Sequence, residues 1–135
     1  MKVAPLGFGC MGMNYNRGKA KDEKEMIRLL HKCIDYGVNL FDTAEVYGPH
    51  INEILVGKGL CEYKNINVTT KFGHKIIDGK YYYGEPDSSH KQIRKVCEES
   101  LKRLKIDVID IFYQHRFDPK IPIEDVAGTV KELIK

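Results

Sequence analysis

The chain has 135 residues, of which 30% are charged and 42% hydrophobic, a composition typical of one folded domain exposed to water. Its 22 basic and 19 acidic side chains give a net charge of +3 and are interspersed, which argues against a nucleic-acid-binding protein. No apolar run is long enough to span a membrane, and the N-terminus lacks a secretory signal, so we expect no membrane partner and a cytoplasmic location.

Hydrophobic periodicity divides the chain into alternating strands and helices. The helix starts carry capping signals, Asp22 with Glu25 and Ser89 with Gln92, and Gly37 occupies the position that usually ends a helix. In chain order, the predicted elements are a strand over 3–10, a glycine-containing loop over 11–21, a helix over 23–36, a strand over 38–42, a helix over 52–60, a strand over 66–70, a loop over 72–87, a helix over 89–104, a strand over 108–113 and a helix from 123 to the end of the chain.

The predicted loop over 72–87 is long and rich in glycine, and long loops of compact domains often bind ligands. It contains three consecutive tyrosines, residues 81–83. Two interpretations are open for them: they line a pocket for a planar or apolar substrate, or they lie exposed on a surface loop. His74 and His90, in or beside this loop, indicate no firmer site.

The four cysteines are scattered along the chain without a C-x-x-C pair, which argues against a zinc site or a disulfide framework. Cys33 and Cys97 fall on the apolar faces of predicted helices. We therefore predict reduced and mostly buried thiols, and no metal site.

Chemically active side chains lie where three predicted strands end. Alternating strands and helices predict parallel β-α-β units, whose ligands bind at the carboxyl ends of the strands. Asp42, Lys71 and His115 lie at such ends, and Tyr47 follows five residues after Asp42. Each has an ordinary explanation: a turn cap, a solvated lysine, a hydrogen-bonded loop histidine and a half-buried aromatic. Their expected convergence on one region favours a functional site.

The combination of these four side chains indicates a general-acid site that protonates a developing alkoxide. A phenol ordinarily has a pKa near 10, and a neighbouring ammonium favours its phenolate. Lys71 is expected to act in this way on Tyr47, with Asp42 paired to the lysine and His115 hydrogen-bonded to the same substrate oxygen. The hydride that precedes such a protonation must come from a cofactor, because side chains cannot supply one.

On these residues the chain resembles the aldo-keto reductase superfamily. The resemblance runs over essentially the whole chain, in order and with sensible spacing. The matching segments are LGFGCMGM at 6–13, FDTAEVYG at 41–48, TTK at 69–71, KVCEESLKRL at 95–104 and DVIDIFYQHR at 107–116.

The resemblance implies a role for each of the four side chains. Tyr47 would be the general acid, Asp42 and Lys71 would tune it, and His115 would orient the carbonyl group of the substrate. The implied activity is the reduction of aldehydes or ketones to alcohols by hydride transfer.

The resemblance also implies the cofactor NADPH and a (β/α)8 barrel. Backbone near Met11 and Gly12, together with Asp42, would contact the cofactor. A complete barrel has eight β/α units in about 250 residues. Residues 1–135 would form one domain, the N-terminal half of the barrel with its first four units.

Two further expectations follow from four units. In the family the other half of the barrel supplies most of the cofactor site, so we expect weak NADPH binding by this chain alone. Two open sheet edges favour self-association. The alternative function is that of a catalytically inactive half-barrel, an interaction or structural module.

Overall fold

The computed structural model describes residues 1–16, 18 and 21–134 of the chain. Residues 17, 19 and 20 of the predicted 11–21 loop and residue 135 of the last predicted helix lie outside the described residues. In chain order the elements are β1 (Phe8–Gly9), a 3₁₀ turn (Met11–Met13), α1 (Glu23–Asp35), β2 (Leu40–Asp42), α2 (Ile51–Leu60), β3 (Asn67–Phe72), β4 (His74–Ile77), β5 (Lys80–Pro86), α3 (His90–Leu104), β6 (Ile111–Gln114) and α4 (Ile123–Leu133).

Four of these strands form a parallel sheet in the order β1-β2-β3-β6. A helix follows each, as the alternating pattern predicts. The first strand is much shorter than the predicted 3–10. Before β1, the backbone at Lys2 and Ala4 bonds to the side chain of Asn39 and not to the backbone of a neighbouring strand. Ala4 N donates to Asn39 Oδ1 at 2.7 Å, and Asn39 Nδ2 donates to the carbonyl oxygen of Lys2 at 3.0 Å.

The helices cover one face of this sheet. Phe41 of β2 and Val68 of β3 are buried in a core with side chains of α1 and α2. Because side chains alternate along a strand, their neighbours Asp42 and Thr69 lie on the opposite face. Two of the predicted chemical side chains, Asp42 and Lys71, therefore belong to the face that the helices leave free.

Helices α2 and α3 approach each other closely at Gly57. A Cβ atom built on this residue would lie 2.7 Å from the carbonyl oxygen of Leu104, which is inside contact distance. A glycine at this point of α2 allows the two helix backbones to pack together. This close packing holds the end of α3, from which the chain enters β6.

The prediction of a loop over 72–87 is wrong, because most of this segment is a β-hairpin. Strands β4 and β5 pair antiparallel, with Ile76 opposite Tyr81 and Ile77 opposite Lys80. The turn is Asp78-Gly79, with φ values of 49° and 72°. Two successive positive φ angles give the type I′ turn that suits a two-residue hairpin, and Asp-Gly is a preferred sequence for it.

All four cysteines are free thiols. Cys10 is buried and Cys33 and Cys97 are partly buried, but Cys61 is exposed, so the prediction of mostly buried thiols is wrong for Cys61. Cys61 follows the last residue of α2, where the chain leaves the core. Within the described part of the chain, no helix is long and apolar enough to cross a membrane.

Candidate active site

The four predicted side chains lie together at the carboxyl ends of the strands. Asp42 ends β2, Lys71 is the penultimate residue of β3, and His115 directly follows β6. Tyr47 lies in the turn after β2 and is 8% exposed. Tyr47 and His115 line a cleft of about 870 Å³.

Asp42 and Lys71 form an ion pair, with Lys71 Nζ 2.6 Å from Asp42 Oδ2. Lys71 Nζ also donates to the carbonyl oxygen of Thr43 at 2.6 Å and lies 3.4 Å from Tyr47 Oη. The Lys71 side chain is 7% exposed, whereas that of Asp42 is 37% exposed. A buried ammonium is thus held beside the phenol oxygen by two acceptors.

Sequence reasoning did not find two further partners of Asp42. Thr69 Oγ1 and Tyr113 Oη each donate to Asp42 Oδ1 at 2.6 Å. The sheet register aligns Asp42 with Thr69, and Lys71 with Tyr113, so these side chains share a face. The available signal was the two-residue period of β3, which places Thr69 on the same face as Lys71.

These contacts keep the ion pair charged. Burial alone would raise the pKa of the Asp42 carboxyl, but hydrogen bonds from Lys71, Thr69 and Tyr113 outweigh burial and lower that pKa. Burial likewise opposes the charged form of Lys71, but the hydrogen bond and charge of Asp42 raise its pKa above the ordinary value. Lys71 is therefore a cation at neutral pH.

The ring of Tyr47 is fixed on several sides. It stacks on Tyr15 at a centroid distance of 5.6 Å and meets His115 edge-on at 5.8 Å. Lys71 Nζ lies 5.0 Å from its centroid. The hydroxyl therefore has a defined position relative to the cleft.

His115 is a neutral imidazole at physiological pH. Burial lowers its pKa to about 4, and the nearby charges of His74, Lys71 and Arg116 act in the same direction. Its Nδ1 atom is buried and has no hydrogen-bond partner among the described residues. A buried N–H without an acceptor is rarer than an unpaired lone pair, so we assign the proton to Nε2.

The residues predicted to contact a cofactor adjoin this group. Met11 and Gly12 lie in the 3₁₀ turn after β1, and Met11 lines the cleft. Asn52 links this turn to the loop after β2, because its Nδ2 donates to the carbonyl oxygen of Cys10 at 2.9 Å while its Oδ1 accepts from Thr43 Oγ1 at 2.6 Å. The fully buried Asn52 was not singled out from the sequence.

The model of the aldo/keto reductase family matches residues 5–135. The chain belongs to this family. Its structure is similar to that of aldo-keto reductase AKR11C1 from Bacillus halodurans in its holo form, with 32% identity, a TM-score of 0.86, and coverage of 98% of this chain and 43% of that one. It is equally similar to glycerol dehydrogenase AKR11B4 from Gluconobacter oxydans, with 32% identity, a TM-score of 0.86, and coverage of 98% and 41%.

The chain therefore spans less than half the length of these two proteins. The predicted fold is confirmed: the four parallel β/α units form an α/β half-barrel that matches one part of the reductase barrel. Among residues 1–16, 18 and 21–134, no group of three or more His, Cys, Asp or Glu side chains is placed to hold a metal ion.

A buried carboxyl, that of Glu45, lies in the turn between Asp42 and Tyr47. Glu45 is 1% exposed and accepts a hydrogen bond from His74 N at 3.3 Å. Burial raises its pKa from 4.5 to about 8, and the charge of Glu53 acts in the same direction. At neutral pH the folded chain therefore keeps a proton on Glu45.

We expect this proton to make folding stability depend on pH. Between pH 4.5 and about 8 the unfolded chain has released the proton while the folded chain holds it, so the Glu45 contribution to stability is lost as pH rises. Relative to Glu45→Gln, the wild-type free energy of unfolding should fall by up to about 1.4 kcal/mol per pH unit. Urea unfolding of both proteins across this range measures the difference, and parallel pH profiles would contradict the expectation.

Proposed function

We propose that this chain carries the proton-donating part of an NADPH-dependent reductase of aldehydes and ketones, with Tyr47 as the general acid. The observation that supports it most is the buried Lys71 ammonium, 3.4 Å from Tyr47 Oη and paired with Asp42. Membership of the aldo/keto reductase family supports the same activity.

In this proposal the substrate carbonyl oxygen lies between Tyr47 Oη and His115 Nε2. The neutral His115 donates a hydrogen bond from Nε2 and orients the carbonyl. Tyr47 gives its proton to the oxygen as negative charge develops there. The Lys71 cation then stabilises the phenolate that remains, and Asp42 holds Lys71 in position.

The residues present fit one end of the cofactor. Bound NADPH would supply the hydride. Met11 and Gly12 would contact it with their backbone, and Asp42 has a 37% exposed side chain that can accept a further hydrogen bond. Gly12 is itself exposed beside the cleft, which leaves room for a ligand to approach the backbone.

We also propose that the half-barrel associates with a second copy through its open sheet edges. Of the described strands, β1 and β6 lie at the two edges of the parallel sheet. Beside the β6 edge, on the face of the sheet that the helices leave free, Ile111 and Tyr113 are 36% and 38% exposed, whereas strands of parallel sheets are ordinarily buried on both faces. A cytoplasmic location is also part of the proposal.

The test is an NADPH titration of the purified chain by nucleotide fluorescence, with the oxidation of NADPH by butanal followed in parallel. We expect saturable binding of NADPH, oxidation of NADPH by butanal, and a solution mass above that of a monomer. Absence of both binding and turnover would overturn the reductase proposal. If the chain then still associated, the alternative of a catalytically inactive interaction module would be favoured.

A further inference from the structure

The β4-β5 hairpin extends the aromatic lining of the cleft. Its His74 ring meets His115, and its Tyr81 ring meets His74, so one continuous row of rings joins the hairpin to Tyr47 in the turn after β2. We call this the aromatic row, which consists in order of Tyr83, Tyr81, His74, His115, Tyr47 and Tyr15. The distances between the centroids of successive rings are 6.0, 4.9, 4.8, 5.8 and 5.6 Å.

Strand alternation decides which tyrosines of the hairpin belong to the row. Tyr81 and Tyr83 are two residues apart in β5 and both line the cleft. Tyr82 faces the opposite side, where Lys75 Nζ and Lys80 Nζ lie 5.3 and 5.5 Å from its ring centroid. The three consecutive tyrosines thus have two environments: Tyr81 and Tyr83 line the cleft, and Tyr82 lies beside two lysines on the other side of the strand.

Tyr81 is the member of the hairpin that is best placed to contact a ligand. It is half-buried and packs against the cluster formed by Ala44, Val46 and Tyr47. Tyr83 is 90% exposed and lies at the mouth of the cleft. A molecule whose carbonyl oxygen reaches Tyr47 and His115 would therefore lay the rest of its body along the Tyr81 ring.

We propose that the Tyr81 face of the hairpin is an aryl-binding subsite, and that the substrates of this chain are aryl aldehydes and aryl ketones. The proposal rests on the proposed function, because it extends the same cleft. Aromatic rings attract one another in offset-stacked or edge-on arrangements beyond what their buried area provides. The aromatic row offers both arrangements to a planar ring and favours it over a saturated ring of similar size.

Two ketones test this subsite without cofactor or turnover. Acetophenone and cyclohexyl methyl ketone have the same carbonyl and the same number of carbon atoms, but only the first has a planar aromatic ring. Their dissociation constants for the wild-type chain are measured by saturation-transfer NMR. We expect acetophenone to bind about fivefold more tightly, the magnitude of one aromatic pair. Equal dissociation constants, or no binding of either ketone, would overturn the proposal.

Variants of the hairpin locate the effect. Tyr81→Leu should remove the fivefold preference by weakening acetophenone alone, and Tyr81→Phe should keep it. Tyr82→Leu is the matched control, because it removes the same ring from the same strand on the opposite face. If Tyr82→Leu reduced the preference as much as Tyr81→Leu, the effect would be a general disturbance of the hairpin and the subsite would be rejected.

The outcome is separable from that of the proposed function. A chain that prefers acetophenone but does not oxidise NADPH with butanal keeps the aryl subsite and loses the reductase proposal. A chain that oxidises NADPH with butanal but shows no preference between the ketones keeps the reductase proposal and loses the subsite.

Discussion

A Tyr47→Phe variant should lose carbonyl reduction by a factor of about 10² to 10⁴, the usual contribution of a positioned general acid. The change removes only the hydroxyl oxygen, 3.4 Å from Lys71 Nζ. The ring that stacks on Tyr15 and meets His115 is kept, so the cleft should retain its shape. The oxidation of NADPH by butanal, compared with nucleotide binding by fluorescence, separates lost chemistry from lost binding.

The matched control is Tyr15→Phe, which removes a hydroxyl from the ring stacked on Tyr47 at 5.6 Å. It should leave turnover within about a factor of two of wild type, since the role assigned to Tyr15 is stacking alone. Turnover of Tyr47→Phe within a factor of ten of wild type would show that another group protonates the substrate. His115 would then be the next residue to substitute.

Replacing Arg103 by Met should lower the free energy of unfolding by about 3 to 5 kcal/mol, the cost of leaving a buried charge without its partner. Glu53 is fully buried in α2, and its Oε2 accepts from Arg103 Nε of α3 at 2.6 Å. Its Oε1 accepts from Thr70 Oγ1 at 2.6 Å, which a methionine at 103 leaves unchanged. Urea unfolding monitored by circular dichroism measures the loss.

Two variants test whether the charge is the cause. Lys102→Met changes an exposed neighbour on the same helix and should stay within about 0.5 kcal/mol of wild type. Glu53→Gln combined with Arg103→Met removes both charges and should recover a large part of the loss. A double variant as unstable as Arg103→Met alone would attribute the loss to packing of the arginine side chain.

The hairpin shows where prediction from the sequence was incomplete although the signal was present. Glycines, a proline and three tyrosines made residues 72–87 resemble an irregular loop. The dipeptide Asp78-Gly79 between Lys75-Ile76-Ile77 and Lys80-Tyr81-Tyr82 is a strong local signal for a type I′ hairpin. Reading that signal would also have predicted that Tyr81 and Tyr83 face one way and Tyr82 the other.

In the site, the residues at the strand ends could be predicted from the sequence, but their hydrogen-bond partners could not. Asp42, Lys71 and His115 could be predicted from the sequence because each is the polar end of a local apolar run, and parallel strands bring such ends together. Thr69 and Tyr113 could not be assigned to Asp42 in this way, because their hydrogen bonds depend on the alignment of β2, β3 and β6. A slip of one residue in that alignment would turn each side chain to the other face of the sheet.

The sequence by itself determined the α/β class, the order of the four parallel strands and four helices, the family, and the placing of Asp42, Lys71 and His115 at strand ends with Tyr47 in the turn after the second strand. These properties depend on residue patterns within a few positions of one another, which local backbone geometry converts directly into strands, helices and turns. Only the tertiary structure decided the partners of Asp42, the burial of Glu45 and the pairing of Glu53 with Arg103. Each of these joins residues of different elements, and their contact is set by strand register and by the close packing of α2 against α3 at Gly57.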